Sequence, residues 1–173
     1  MVNIDLKVIT NNIFKLLDYS GISDISLANL MDISEKQLRL IKTGSAYFSI
    51  NNINKACDFF NITINKINQS EIDIKNNYRE KLATKHRNNL EYYTLLSSRP
   101  SIRHAIRFEL SSDKTFRSKG LSVGEIQEIF NKKGWHFTSR YISTSMIRNQ
   151  DLIEMVGSKL VLGKEINIYR ARQ

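Results

Sequence analysis

Apolar residues recur at helical spacing through the first seventy positions of the chain. The first stripe repeats with a period near 3.6 and consists of Leu6, Ile9, Ile13, Leu16 and Leu17. The second stripe is shorter and consists of Leu27, Ala28, Leu30 and Met31. Ser34 is a favoured capping residue and Gly44 a favoured helix stop, so they bound a third predicted helix with Leu38 and Ile41 inward.

Two further helices are predicted before residue 75. Ser49 would cap the fourth, whose inward residues are Ile50, Ile53, Ala56, Cys57 and Phe60. Thr63 would cap a short fifth helix that carries Ile64 and Ile67. Five short helices in this stretch predict a compact all-α domain over residues 1–74.

Residues 75–98 contain neither Gly nor Pro, and their apolar residues keep roughly helical spacing. This pattern predicts a connecting helix, polar over much of its surface, which is also the expected spacer or dimer contact. Pro100 follows as a break, because the residue before a proline is biased away from the helical conformation. We therefore expect a second domain over residues 99–173.

The second domain combines helical and strand patterns. Ser101 begins a predicted helix, and the polar, basic stretch 111–120 is expected to be a loop. Ser122 with Glu125 is a capping-box pattern that begins another helix. Thr138 begins the next helix, whose inward side is expected to carry Tyr141, Ile142, Met146 and Ile147. After residue 150 the period changes to two and predicts two strands around a glycine-bearing turn. The expected fold is therefore mainly α, with a β-hairpin at the end.

Charge separates the two halves of the chain. The protein carries 26 Lys and Arg against 17 Asp and Glu, a net charge of +9. Residues 1–75 hold eight of each sign, so the whole excess lies in residues 76–173, with 18 basic and 9 acidic side chains. A basic excess favours polyanionic partners, so we expect the second half to bind a polyanion more strongly.

Several protein classes are disfavoured by what the sequence lacks. One Cys and three scattered His provide neither a disulfide nor a usual zinc pattern. No apolar run approaches the ~20 residues of a membrane-spanning helix, and no secretory signal segment opens the chain. The sequence shows no glycine-rich phosphate loop and no catalytic constellation. We expect a cytoplasmic protein that is not an enzyme and has no cofactor, metal or membrane partner.

The segment 26–44, SLANLMDISEKQLRLIKTG, resembles the helix-turn-helix of the phage-repressor (Cro-type, XRE-like) family, and the likeness covers roughly residues 5–70. Ala28 stands where that motif needs a small residue, and Gly44 takes its closing position. The resemblance implies that the third helix enters the major groove of DNA. Asp24 departs from the family, which often has Gln at that position facing a phosphate. The implied DNA-contacting residues are Lys36, Gln37, Arg39 and Lys42.

The order of helices and hairpin over residues 99–173 resembles a winged-helix domain. In that likeness the helix beginning at Thr138 is a second recognition helix, and the hairpin is the wing. The implied DNA-contacting residues of this helix are Ser139, Arg140, Ser143, Thr144 and Arg148. In the wing, Lys159 and Lys164 would reach phosphates or the minor groove.

These observations predict a sequence-specific regulator of transcription that binds double-stranded DNA through both units, as a homodimer on paired half-sites. Two alternatives stay open. One is a replication or partition protein that binds iterated DNA sites. The other is an interaction module whose neutral N-terminal domain binds a protein while the basic C-terminal half binds nucleic acid. Charge alone does not distinguish DNA from RNA.

Overall fold

The computed structural model describes residues 4–172 and divides between Ser98 and Arg99 into two compact units. The chain is mainly helical, and one small three-stranded antiparallel sheet lies in the second unit. Each unit has a buried apolar core of its own, so each is described by itself.

Helices make up the regular structure of the first unit. Within residues 4–98 they are α1 (Leu6–Ser20), α2 (Asp24–Leu30), α3 (Glu35–Lys42), α4 (Ile50–Phe60), α5 (Ile64–Ile67), α6 (Tyr78–Lys85) and α7 (Leu90–Ser97). The predicted caps are confirmed: the side chains of Ser34, Ser49 and Thr63 each accept a hydrogen bond from the backbone N–H three residues later. Gly44 adopts the left-handed conformation, with φ of 78°, after α3.

The core of the first unit is built around α1 and α4. Ile9 and Ile13 from α1 pack with Phe59 and Phe60 from α4, and all four side chains are buried. Asn12, also buried, donates hydrogen bonds of 2.8 Å to the carbonyl oxygens of Ile67 and Gln69, which holds α5 against α1. The five helices expected over residues 1–74 are therefore present.

The prediction of one connecting helix over residues 75–98 is wrong. The stretch forms two helices, α6 and α7, separated at residues 86–89, and both pack against the first unit through buried Leu82 and Leu96. Asn89 causes the interruption, because its side chain accepts a hydrogen bond from the Tyr92 N–H and caps α7. Arg79 of α6 is also buried in this packing.

The second unit begins with a distorted helical segment. Helix α8 (Ile102–His104) continues as a π-helical turn (Ala105–Glu109) and a 3-10 turn (Leu110–Ser112), which are followed by α9 (Lys114–Ser118). The expectation of a loop over 111–120 is therefore wrong. Asp113 caps α9, and Phe116 anchors it with a fully buried side chain.

Two helices and three strands complete this unit. They are β1 (Leu121–Ser122), α10 (Val123–Lys132), α11 (Ser139–Arg148), β2 (Ile153–Val161) and β3 (Lys164–Ala171). The capping box predicted at Ser122 and Glu125 is confirmed, with both reciprocal hydrogen bonds present.

The three strands pair in the order β1-β3-β2, and all pairs are antiparallel. The short strand β1 pairs only with Ile168 and Tyr169 of β3, so the hairpin beyond Ile168 is two-stranded. A bulge between Met155 and Gly157 shifts the register of β2. Tyr169 and Ile153 are buried, so the sheet end near β1 belongs to the core of the unit.

Candidate nucleic-acid interface

Helices α2 and α3, with the tight turn between them, form the first candidate surface. Ala28 is 1% exposed where the two helices meet, and its carbonyl oxygen accepts a 3.0 Å hydrogen bond from the Ile33 N–H. Leu38 and Ile41 are buried, as their spacing predicts. Their burial turns the opposite side of α3 outward, and Lys36 and Arg39 are exposed on it.

Lys42 is not a free cation on this surface. Its Nζ atom lies 2.7 Å from Oδ2 of Asp24 and 5.7 Å from the ring centroid of Phe14. The carboxylate that departs from the family pattern therefore neutralises a lysine that the resemblance assigns to DNA. Within the described chain, Lys36 and Arg39 have no ion-pair partner. Gln37 is half-buried, and its backbone N–H is bonded to Ser34.

Helix α11 presents the second candidate surface. Ile142, Ser145, Met146 and Asn149 are buried. These four residues are three, four and seven positions apart, so they share one side of the helix. The opposite side carries three polar residues and one apolar residue: Arg140, Ser143, Thr144 and Ile147. We call this set the outer face of α11.

The sequence-based assignment of Tyr141 and Ile147 to the inward side of α11 is wrong. Tyr141 is 47% exposed and Ile147 is 60% exposed. The reason is that polar Ser145 and Asn149 occupy the buried side. There the Asn149 side chain donates a 2.8 Å hydrogen bond to the Ser145 carbonyl oxygen. Ile147 therefore joins the candidate surface as a residue that the sequence reasoning missed.

Two of the three hydroxyl groups predicted on α11, those of Ser139 and Thr144, have internal partners. Ser139 Oγ donates a 2.8 Å hydrogen bond to Oε1 of Gln127 in α10, so it connects the two helices. Thr144 Oγ1 donates a 2.9 Å bond to the Arg140 carbonyl oxygen. Ser143 and Thr144 are half-buried. In contrast, Arg140 and Arg148 are exposed and have no ion-pair partner among residues 4–172.

Lys159 anchors the hairpin to helix α10. Its Nζ atom lies 3.0 Å from both carboxylate oxygens of Glu125, and that carboxylate also accepts hydrogen bonds from the Ser122 N–H (2.8 Å) and hydroxyl (2.6 Å). The hydrogen bonds from Ser122, together with Lys159, lower the pKa of Glu125 to about 2. Lys159 therefore has an internal ion-pair partner, and its contact with a phosphate stays a prediction. Lys164 remains exposed beside the hairpin turn and has no ion-pair partner in the part of the chain that the structure describes.

Two further features of the second unit lie near these residues. A groove of about 440 Å³ runs between the end of α11 and the hairpin, and its lining includes Ile147, Met155 and Asn167. A shallow cationic depression elsewhere is lined by Lys114, Arg117, Ser118, Ala171 and Arg172. Arg172 follows β3, the last strand. Because β3 packs against α9, Arg172 lies near Lys114 and Arg117 of that helix.

Comparison of this chain with protein-family models, with curated proteins and with solved structures finds no match. No helix within residues 4–172 is long and apolar enough to cross a membrane. Over the same residues, no three His, Cys, Asp or Glu side chains cluster in a way that would hold a metal ion.

Proposed function

We propose that this protein is a sequence-specific regulator that binds double-stranded DNA through two units of helix-turn-helix type. In the first unit, α2 and α3 act as the helix-turn-helix. In the second, the order α8, α9, β1, α10, α11, β2, β3 and the strand order β1-β3-β2 support a winged-helix arrangement, with α11 as recognition helix and the hairpin as wing.

The outer face of α11 is the observation that carries this proposal. It combines the guanidinium of Arg140, which has no ion-pair partner among residues 4–172, with the half-buried Ser143 hydroxyl and the exposed side chain of Ile147. The major groove of DNA admits an α-helix, and its edges offer acceptors to arginine and thymine methyl groups to apolar side chains. Residues 99–173 carry 14 basic and 7 acidic side chains, which supplies the electrostatic attraction to phosphates that dominates such binding.

The first unit has less charge available for DNA. Its free cations on α3 are Lys36 and Arg39, since Lys42 is neutralised by Asp24. We propose that Arg39 and Lys36 read acceptor groups of bases, whereas most of the affinity comes from the second unit. A homodimer that places two such chains on paired half-sites follows from the same proposal.

The test is a selection from a random duplex library with the full chain, followed by affinity measurements on the enriched site. We expect Arg140→Ala to weaken binding by ~1–3 kcal/mol and Ile147→Ser to relax preference at a thymine position. Arg87→Ala removes the same charge from an exposed position of the first unit, outside both candidate surfaces, and serves as the matched control. If no sequence is enriched, or if Arg140→Ala and Arg87→Ala behave alike, the proposal fails. Enrichment of tandem repeats in place of a palindrome would favour the replication or partition alternative.

A second candidate function concerns the first unit alone. Four large apolar side chains between residues 24 and 50 are strongly exposed: Ile25 (53%), Leu40 (40%), Tyr47 (49%) and Ile50 (50%). Ile50 was expected to face inward, so this exposure also corrects the sequence-based assignment. These side chains lie within residues 1–75, which carry no net charge, and exposed apolar side chains on a neutral surface favour a protein partner over a phosphate backbone. If Lys36→Ala with Arg39→Ala leaves the selected site and its affinity unchanged, α3 does not read DNA, and the partner-binding function of the first unit is favoured.

A further inference from the structure

The apex of the hairpin has an unusual residue for its backbone conformation. Strand β2 ends at Val161 and β3 begins at Lys164, so Leu162 and Gly163 form a two-residue turn. Both adopt left-handed conformations, with φ of 50° and 75°. Such turns favour Asn or Asp before Gly, because a leucine side chain is sterically disfavoured at positive φ.

The side chain of Leu162 is not buried, so packing does not compensate for this disfavoured conformation. It is 99% exposed, and Leu160, two residues earlier, is 77% exposed. A leucine that is both strained and unpacked at the tip of a hairpin contributes little to folding. Residues held in disfavoured conformations cluster at binding and catalytic sites, so this combination points to a ligand for the tip.

The tip lies at the end of the β2–β3 hairpin. In the outer part of the hairpin, from Gly157 to Asn167, β2 and β3 pair only with each other. The Lys159–Glu125 ion pair connects this part to α10. The base of the same hairpin shares a groove with Ile147 of α11. The base of the hairpin therefore lies beside Ile147, a residue of the outer face of α11. Lys164 lies next to the tip and is exposed.

We infer that the Leu160–Leu162 tip is an apolar wedge that enters the minor groove of duplex DNA, partly unstacks one base step and bends the duplex. This inference rests on the proposed function and adds DNA bending to it. Proteins that bind the minor groove insert apolar side chains between base steps, which kinks the duplex by roughly 20–90°. The free ammonium group of Lys164 would contact a phosphate beside the opened step.

A second copy of the chain is a weaker occupant for the tip. A stable dimer interface buries about 800 Å² per partner, whereas the apex offers two leucine side chains and Val161; the other exposed apolar side chains of β2, Met155 and Val156, lie at the bulge before the outer part of the hairpin. A base step suits a narrow apolar tip better, because unstacking exposes two aromatic faces that a single side chain can cover. Pyrimidine–purine steps unstack most easily, so the wedge should favour a TA or CA step at its position.

The experiment measures DNA bending separately from DNA binding. A duplex containing the selected site carries a fluorophore at each end, and energy transfer reports the end-to-end distance when the full chain binds. We expect the wild type to bend this duplex, and we expect Leu162→Met to bend it equally because the tip stays apolar. Leu162→Asn should lose the bend while its affinity falls by less than about tenfold, since phosphate contacts supply most of the affinity.

Leu162→Asn separates loss of the wedge from loss of the fold. Asn is favoured at left-handed positions, so the thermal midpoint of this variant should equal or exceed that of the wild type. If the wild type binds its site without bending it, or if Leu162→Asn still bends it, the wedge is refuted while the proposed function stands. If the wild type binds no duplex, both proposals fall. If Leu162→Asn converts a dimer to a monomer in sedimentation and leaves the bend unchanged, the tip is covered by a second copy and the wedge is refuted.

Discussion

Replacement of Arg79 by alanine should destabilise the first unit more than any other loss of one charge there. The side chain of Arg79 is almost fully buried, with 7% of its surface exposed. Its guanidinium donates hydrogen bonds to the carbonyl oxygens of Ser20, Ser98 (2.7 Å) and Leu95 (3.4 Å). Ser20 is the last residue of α1, and the other two carbonyl groups lie at the end of α7. Arg79 therefore connects the C-terminal ends of two helices, where backbone carbonyl groups lack partners and carry partial negative charge.

The magnitude follows from these contacts. Burial lowers the pKa of Arg79 to about 10, so the side chain remains charged at pH 7. A hydrogen bond from a charged group contributes about 1.5–3 kcal/mol, and a buried acceptor left without a partner costs a further ~1–3 kcal/mol. Removing the buried charge also relieves its desolvation, which offsets part of that loss. We therefore expect Arg79→Ala to lower the free energy of unfolding by about 3 kcal/mol.

The assay is urea unfolding of the full chain, followed by far-ultraviolet circular dichroism. Arg87→Ala is the matched control, because Arg87 is exposed, lies two residues beyond the end of α6, and should change stability by less than about 0.5 kcal/mol. The loss in free energy of unfolding for Arg79→Lys should lie between the losses for Arg79→Ala and Arg87→Ala. The lysine ammonium group keeps the charge but cannot reproduce the forked hydrogen bonds of arginine. A loss of less than about 1 kcal/mol for Arg79→Ala would refute the assigned role.

Three further predictions concern single positions. Gly120 has φ of 81°, and a Cβ atom there would lie 2.7 Å from a side-chain carbon of β3, so Gly120→Ala should cost at least ~2 kcal/mol in urea unfolding. Gly134→Ala, at φ of 74° with no atom within 4 Å of the added Cβ, should cost about 1 kcal/mol, and equal losses would contradict the steric argument. Because the pKa of Glu125 is about 2, below the ordinary value of 4.5, its carboxylate stabilises the fold above pH 4.5 and loses that contribution as the pH falls towards 2. The group is half-exposed, so we expect a loss of only about 1 kcal/mol, which should be absent in Glu125→Gln when unfolding is measured from pH 6 to pH 2. Asp24→Asn should free Lys42, raise affinity for the selected duplex and increase the slope of log K against log salt by about one; an unchanged slope would show that Lys42 does not reach a phosphate.

Local hydrogen bonds explain why so much of the helical pattern was predictable. Ser34, Ser49 and Thr63 cap their helices through bonds to a backbone group three residues away, and Ser122 with Glu125 does the same reciprocally. These interactions involve neighbours in the chain, so residue type and spacing are sufficient to identify them. The two strands after residue 150 were found for the same reason, since their two-residue period and turn glycine are local features.

The parts that sequence reasoning missed depend on residues far apart in the chain. The stretch 75–98 was expected to connect two domains because its own pattern is helical, but Leu82 and Leu96 gain burial only against helices formed by earlier residues. Strand β1 has two residues and no recognisable pattern, and it exists because β3 passes beside it. Ile147 was assigned to the core because it is apolar, whereas the packing of α11 leaves it exposed.

The candidate site follows the same division. By itself, the sequence determined which cations and hydroxyl groups lie on two short helices and a hairpin, because composition and periodicity are properties of the chain. Only the tertiary structure decided which of those groups remain available. Lys42 pairs with Asp24 from 18 positions away, and Lys159 pairs with Glu125 from 34 positions away. An ion pair depends on distance in space, so it is the fold that pairs Lys42 and Lys159 and leaves Arg140 and Lys164 without an ion-pair partner among residues 4–172.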